Sequence, residues 1–299
     1  MPIRTRVEGP GVSPHGHSYP HISQLDKKLE RMISAYADIL QRIAAGLDAA
    51  RSVFARFTPG EIAAEYKAGH DPVTEADRAL DAVLRQNLLR QGEGWLSEET
   101  ADDLSRLEKE RVWIVDPLDG TREFVQGLPE FCVSIGFVEQ GKPVAGGICN
   151  PATNQNFLGA IDAGVLLNGK PVHCSQRTTL AGALVLASRS EVKRGEWQRF
   201  ENAPFRIQAM GSVAYKLALV SAGLADVTFT LVPKHEWDVA AGAALVLSAG
   251  GFVCQPDASE LRCNQQDPLL TGLLAGGYRL RDELLAAIHG LVPSRESQR

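Results

Sequence analysis

Apolar residues recur at helical spacing from Leu25 through Leu29, Met32, Ile33, Tyr36, Ile39, Leu40, Ile43, Leu47, Ala50, Val53, Phe54 and Phe57, and predict one long amphipathic helix. Thr58-Pro59-Gly60 ends it, since neither proline nor glycine extends a helix. A second helix is predicted from Glu75 to Leu89, with Thr74 as its N-cap. Strands are predicted at Val112–Val115, Cys132–Glu139 and Val144–Cys149, the last two joined by the compact turn Gln140-Gly141-Lys142-Pro143. Short apolar runs over 159–185, broken by Asn168-Gly169, read as further hairpins. A helix near 212–222, a strand near 226–232 and a helix from Val239 to Ser248, closed by Gly250-Gly251, come next. A last helix covers 281–289. Strand runs mixed with helices, without regular βαβ alternation, predict a layered α/β (α+β) architecture.

Residues 1–20 hold Pro, Gly and His with hardly any apolar periodicity and read as a flexible tail, in which His15 and His17, with His21 beside it, lack a frame to fix metal geometry. The body divides into 21–160, a metal-binding α+β half, and 161–290, a C-terminal α/β half, although no linker composition marks position 160; 291–299 is a second tail.

The chain has 299 residues, 44% hydrophobic and 22% charged. This is globular usage, with enough apolar material for a large core. No apolar run reaches the ~18 residues that span a bilayer, and the N-terminus has no secretory-type apolar stretch. These features predict a cytoplasmic protein with no membrane partner. A net charge of −5 argues against a nucleic-acid polymer as partner, so an anionic ligand must be held by a metal ion or a few placed cations. Cys132, Cys149, Cys174, Cys254 and Cys263 form no C-x-x-C pair and read as reduced, mostly buried thiols.

The candidate chemistry is carboxylate chemistry. The run from Trp113 to Val115 delivers Asp116 at its end, Pro117 stiffens the turn, and Asp119 follows ahead of Gly120 and Thr121. Two carboxylates at a strand end, beside a glycine that lets backbone amides approach a ligand, suit a hard cation holding phosphate, and the Leu118 carbonyl is a candidate oxygen ligand. An Asx-turn capping the next helix is the plainer reading. Glu98-Glu99 ends the apolar run Trp95-Leu96-Ser97, Asp71 and Asp77 bracket a helix start, and Trp237-Asp238 opens an apolar helix. Singly, these read as solvated acids, helix-dipole partners and an N-cap; four acidic spots at the ends of apolar elements favour one shared metal site. His70, His173 and His235 read as surface or turn residues.

On four blocks, Asp71-Pro-Val-Thr-Glu-Ala-Asp77, Ser97-Glu98-Glu99, Asp116-Pro-Leu-Asp119-Gly-Thr121 and Trp237-Asp238-Val-Ala-Ala-Gly242, the chain resembles the inositol monophosphatase superfamily of magnesium-dependent, lithium-sensitive phosphatases over about residues 30–290. The resemblance implies a sandwich of alternating helix and sheet layers, often a homodimer, and hydrolysis of a small phosphate ester. It implies a first Mg²⁺ on Glu98, Asp116 and the Leu118 carbonyl, a second on Asp116, Asp119 and Asp238, and a weaker third that Glu98 helps to hold. Thr121, hydrogen-bonded towards Asp77, would orient or deprotonate the attacking water, with Gly120 and Thr121 amides cradling phosphate. Catalysis would thus rest on Asp77, Glu98 and Thr121.

Arg122-Glu123-Phe124, Ser188-Arg189-Ser190 and Gly211-Ser212-Val-Ala-Tyr-Lys216 resemble the bisphosphate nucleotidases of that superfamily, with Glu191 replacing a histidine of their pattern. Leu231 stands seven positions before Asp238, where some inositol phosphatases carry a sugar-binding glutamate. Ser212, Arg189 and Lys216 are therefore candidate substrate contacts, and 3′-phosphoadenosine 5′-phosphate is the favoured substrate, ahead of an inositol monophosphate or a fructose bisphosphate. Lys216 and Lys234 read equally as solvated lysines whose stems lie on the surface. A non-catalytic phosphate-binding protein and a metal-free acidic domain are the remaining alternatives.

Overall fold

The long apolar stripe folds as one 33-residue helix, α1 (Ile22–Phe54), in a computed structural model that describes residues 22–66 and 72–289. His15, His17, His21, His70, Asp71 and both predicted tails lie outside the described residues, as do the side chains of Leu25, Leu29, Met32 and Ile33. Helix α2 (Glu75–Leu88) begins with a capping box: the Thr74 hydroxyl accepts the Ala76 amide at 3.2 Å, and the Asp77 carboxylate accepts the Thr74 amide at 2.7 Å.

Both helices cover one face of a seven-stranded sheet, β1 (Gly94–Ser97), β2 (Arg111–Asp119), β3 (Cys132–Glu139), β4 (Lys142–Asn150), β5 (Gln155–Ala160), β6 (Gly164–Leu167) and β7 (Lys170–Val172), whose spatial order is its chain order. Only β1 and β2 run parallel. Ile39, Ile43, Leu80 and Leu84 pack there against Trp113, Val115, Ile135 and Phe137. The turns obey local chemistry. Gln140 and Gly141 take φ of 51° and 76°, and Asn168 and Gly169 take 49° and 77°, the left-handed pairs that close two-residue hairpins. Residue 160 is the last of β5, so the sheet runs across the expected division.

Short helices α3 (Thr121–Val125) and α4 (Arg189–Lys193) follow directly on β2 and on β8 (Leu184–Ser188). With β9 (Arg206–Met210), β10 (Val227–Thr230), β11 (Gly251–Cys254) and β12 (Leu273–Gly277), β8 forms a second sheet of order β9-β8-β10-β12-β11. Between the sheets lie α5 (Val213–Ser221) and α6 (Glu236–Ser248). The outer face of the second sheet is covered by α7 (Arg281–His289) and the aromatic group Trp197, Phe200 and Phe229. The layers therefore alternate helix, sheet, helix, sheet, helix.

Small residues let α6 approach on both sides. A Cβ on Gly146 of β4 would lie 2.4 Å from the Ala241 carbonyl oxygen, and one on Gly242 would lie 2.4 Å from Leu217 Cβ of α5. This contact sets the depth at which the α6 N-terminus, with Asp238, meets the end of β2. No helix among the described residues is long and apolar enough to cross a membrane.

Candidate active site

Strand β2 carries Asp116 and Asp119 on either side of a register irregularity in its pairing with β3. The Asp116 carboxylate, 1% exposed, accepts the Leu118 amide at 3.0 Å. It lies with Glu98, just beyond β1, and Asp238, in the first turn of α6, in a group whose carboxylate oxygens are within 4.8 Å of one another. Elements nearly 140 residues apart in sequence thus deliver their acids to one point. Burial first, then the charges of Glu98, Asp119, Asp238 and Asp77, push the Asp116 carboxyl well above the usual carboxylate range. Burial and the neighbouring Asp119 and Glu98 do the same to Asp238.

Asp119 is held differently. Its Oδ2 accepts the Ser212 hydroxyl at 2.7 Å and the Ala214 amide at 2.6 Å, which ties the end of β2 to the start of α5. Burial raises its pKa, against those two hydrogen bonds and the charges of Lys216 and Lys234. Ser212 takes the left-handed φ of 56° as N-cap of α5, where its hydroxyl also accepts the Tyr215 amide at 3.0 Å.

Thr121, the first residue of α3, places its hydroxyl 3.0 Å from Asp77 Oδ1 and 2.9 Å from the Leu118 carbonyl oxygen. Asp77 is fixed from its other side, where Thr74 donates its amide at 2.7 Å and its hydroxyl at 2.6 Å to Oδ2. Burial raises the Asp77 carboxyl, against those hydrogen bonds. Gly120 turns at φ 95°, and a Cβ there would stand 2.7 Å from the Glu130 carbonyl oxygen, so only glycine fits between β2 and α3.

Acids and cations line one cleft of about 660 Å³. Glu98, Asp116, Asp119 and Asp238 occupy it together with Arg189, Lys193, Lys216 and Lys234. Lys216 is no solvated lysine: it is 4% exposed, and its ammonium donates to the carbonyls of Ser212, Met210 and Gly211 at 2.9, 3.4 and 3.5 Å. Arg189 pairs with Glu130, whose carboxylate also accepts the Gly211 amide at 2.7 Å. Lys234 pairs with the buried Glu191 at 3.2 Å. His235 stacks on Trp237 with ring centroids 4.3 Å apart, and the His173 ring lies 3.2 Å from its neighbour's carbonyl, that of Cys174.

Two residues that shape the cleft, Asp81 and Glu130, carry no motif in the sequence, and a third, Glu191, enters it only as a departure from a histidine pattern. Asp81 accepts the hydroxyls of Ser97 and Thr100 at 2.6 and 2.7 Å and so pins the segment bearing Glu98; its one signal is the four-residue step from Asp77, which puts both on one face of α2. Glu130 leaves no local signal, and the motif position of Glu191 does not reveal its role, because the partners of both come from distant segments.

The donor set decides what cation fits. Among the described residues no lysine or arginine pairs with Asp116, and the ligand atoms on offer are all oxygen. Carboxylates in mutual repulsion, Asp116 buried and Glu98 and Asp238 half-buried, without imidazole or thiolate, suit a hard divalent ion such as Mg²⁺. Such a pit, facing cations across a cleft, can hold a divalent ion and an anionic ligand together. The chain matches the model of the Inositol monophosphatase family over residues 31–292 and belongs to that family. It is 37% identical to inositol monophosphatase 2 of Solanum lycopersicum over 239 residues, 75% of this chain and 88% of the relative. The solved inositol monophosphatase of Anabaena (Nostoc) sp. PCC 7120 superposes with a TM-score of 0.71 at 26% identity, covering 88% of this chain and 99% of that one. CysQ of Bacteroides thetaiotaomicron, described as a bacterial member of the inositol monophosphatase family, superposes with a TM-score of 0.68 at 25% identity, covering 81% and 97%. Members of the family are phosphoric monoester hydrolases that use a divalent metal and act on small phosphate esters.

Proposed function

We propose that this cleft hydrolyses a small phosphomonoester carrying a second phosphate, 3′-phosphoadenosine 5′-phosphate first among them, with Mg²⁺ as the metal. The observation that carries the reading is the pairing, in one cleft, of an acidic end around Asp116 with a cationic wall of Arg189, Lys193 and Lys234. A single phosphate needs only the acidic end and its ions, whereas a second one gains from the wall.

Glu98, Asp116 and the Leu118 carbonyl would hold one Mg²⁺, Asp116, Asp119 and Asp238 a second, and Glu98 would help hold a third. Bound there, the ions neutralise charge on the entering and leaving oxygens and acidify water. The Thr121 hydroxyl has one hydrogen and two acceptors in reach. Donating it to Asp77 Oδ1 leaves Oγ1 lone pairs to accept from an attacking water, and Asp77, its pKa raised by burial, takes up the proton through Thr121. Gly120 and Thr121 supply amides to the reacting phosphate. Ser212 and the Ala214 amide fix the plane of the Asp119 carboxylate. Lys216 fixes the carbonyls ahead of α5, and Arg189, with Ser212, faces the substrate body.

The second reading, inositol monophosphate hydrolysis, is favoured by the names of the curated relatives. Against it, Leu231 packs with the outer face of the second sheet, so the position offers a polyol no carboxylate. A phosphate-release panel decides. Turnover should be faster with 3′-phosphoadenosine 5′-phosphate than with inositol 1-phosphate or fructose 1,6-bisphosphate, and the reverse ranking would defeat the substrate assignment.

A further inference from the structure

Glu191 is a buried acid inside the protein, 2% exposed, one helical turn from the cleft wall. Its Oε1 accepts the Thr230 hydroxyl at 2.6 Å, and its Oε2 accepts the Trp197 indole N–H at 3.2 Å. These neutral donors leave the charge uncompensated, and a buried carboxylate needs a cation. The Lys234 ammonium, 3.2 Å from Oε1, is that cation. Its backbone is fixed as well: Lys234 and His235 pair with Leu270 and Leu269 in a two-residue ladder, Pro233 precedes them, and the Val232 amide donates to the Thr230 hydroxyl at 3.2 Å. The side chain is 16% exposed and lines the cleft.

The other cations of the cleft are committed or loose. Lys216 spends its ammonium on three carbonyls. Arg189 is bound to Glu130 and lies 3.8 Å from Glu123. Lys193 is exposed and makes no ion pair among the described residues, so ordering it on a ligand costs side-chain entropy. Lys234 has three N–H donors and one carboxylate partner among the described residues. It is preorganised, yet keeps donors for a ligand.

We propose that Lys234, anchored by Glu191, is a specificity-determining residue that receives the second anionic group of the substrate. This rests on the cleft hydrolysing a phosphate ester, and deepens that reading. Binding energy taken at a group that does not react, equally in ground and transition states, appears first in KM. Glu191 acts through Lys234 and is a positioning residue.

Steady-state kinetics of the full chain with 3′-phosphoadenosine 5′-phosphate and with adenosine 3′-phosphate isolate the second anion, since the two differ only in the 5′-phosphate. Lys234→Met should lower the ratio of kcat/KM between bisphosphate and monophosphate about tenfold, the loss of one charge-assisted contact. KM for the bisphosphate should carry that loss. Lys234→Arg should recover most of the ratio, and Glu191→Gln should shift the same KM in the same direction by less. Equal losses on both esters would place Lys234 at the reacting phosphate and overturn the proposal, as would an unchanged ratio. If the wild-type protein turns over neither adenylate, the nucleotide assignment fails separately. The comparison then runs with inositol 1,4-bisphosphate against inositol 1-phosphate, and the same fall or constancy of the ratio decides.

Discussion

Asp81 of α2 accepts the Ser97 hydroxyl at 2.6 Å, one helical turn beyond Asp77, which accepts the Thr121 hydroxyl at 3.0 Å. One helix face therefore grips both the segment that presents Glu98 and the threonine beside the reacting centre. Asp81→Ala should free the Glu98 segment, which Asp81 also holds through Thr100 at 2.7 Å. Removing such an outer support should weaken Mg²⁺ affinity by about 10- to 100-fold. Calorimetric titration of Mg²⁺ into the variant and the wild type checks this; equal affinities would remove Asp81 from the account.

The acidic pit makes stability depend on pH with a definite sign. Asp116 and Asp238 have pKa values raised well above the ordinary range, and Asp119 is raised too, by burial first and, for Asp116 and Asp238, by the charges of Glu98 and Asp119. The folded chain therefore binds more protons than the unfolded chain. For the metal-free protein these groups should lower stability as pH climbs from about the unfolded aspartate value of ~3.9 through the raised folded values. Mg²⁺ binds the deprotonated, folded form, so its stabilisation should grow over the same window. Melting temperatures with Mg²⁺ and with a chelator should diverge as pH rises from about 5 to about 8. A constant difference would mean that these carboxylates are not the ligands.

Close packing of α6 should show in stability. Gly146→Ala puts a methyl 2.4 Å from the Ala241 carbonyl oxygen, and backbone cannot yield as a flexible side chain can. The cost should be at least about 2 kcal/mol, read in chemical denaturation. A neutral variant would mean that α6 can lift from the sheet without penalty.

Much of this was legible in the sequence, and the reasons are local. Thr74 and Asp77 form the capping box that their spacing announces, Cys132–Glu139 matches the predicted strand, and 281–289 is the predicted helix. Glu98, Asp116 and Asp238 share a point because each ends or starts an apolar element, which the pattern displays. The second sheet was mostly hidden. Strand β9 lies at an edge with Arg206, Ile207 and Gln208 exposed, so it has little apolar signal, and Leu273–Gly277 ends in two glycines that discourage a strand reading. Lys216 reads in the sequence equally as a substrate contact and as a solvated helix lysine, yet its ammonium folds back on the three carbonyls ahead of its own helix. Glu191 and Lys234 are 43 residues apart and meet only because α4 and the Lys234–His235 bridge border the same cleft.

The central claim is that carboxylates remote in the chain converge on divalent ions that the chemistry requires. Phosphate release from 3′-phosphoadenosine 5′-phosphate and inositol 1-phosphate, by wild type and by Asp116→Asn, tests it with and without a chelator. Wild-type turnover should vanish in chelator and return with Mg²⁺, while Asp116→Asn should fold normally by circular dichroism and stay inactive at any Mg²⁺ concentration. Undiminished turnover in chelator, or wild-type rates from Asp116→Asn, would contradict the account.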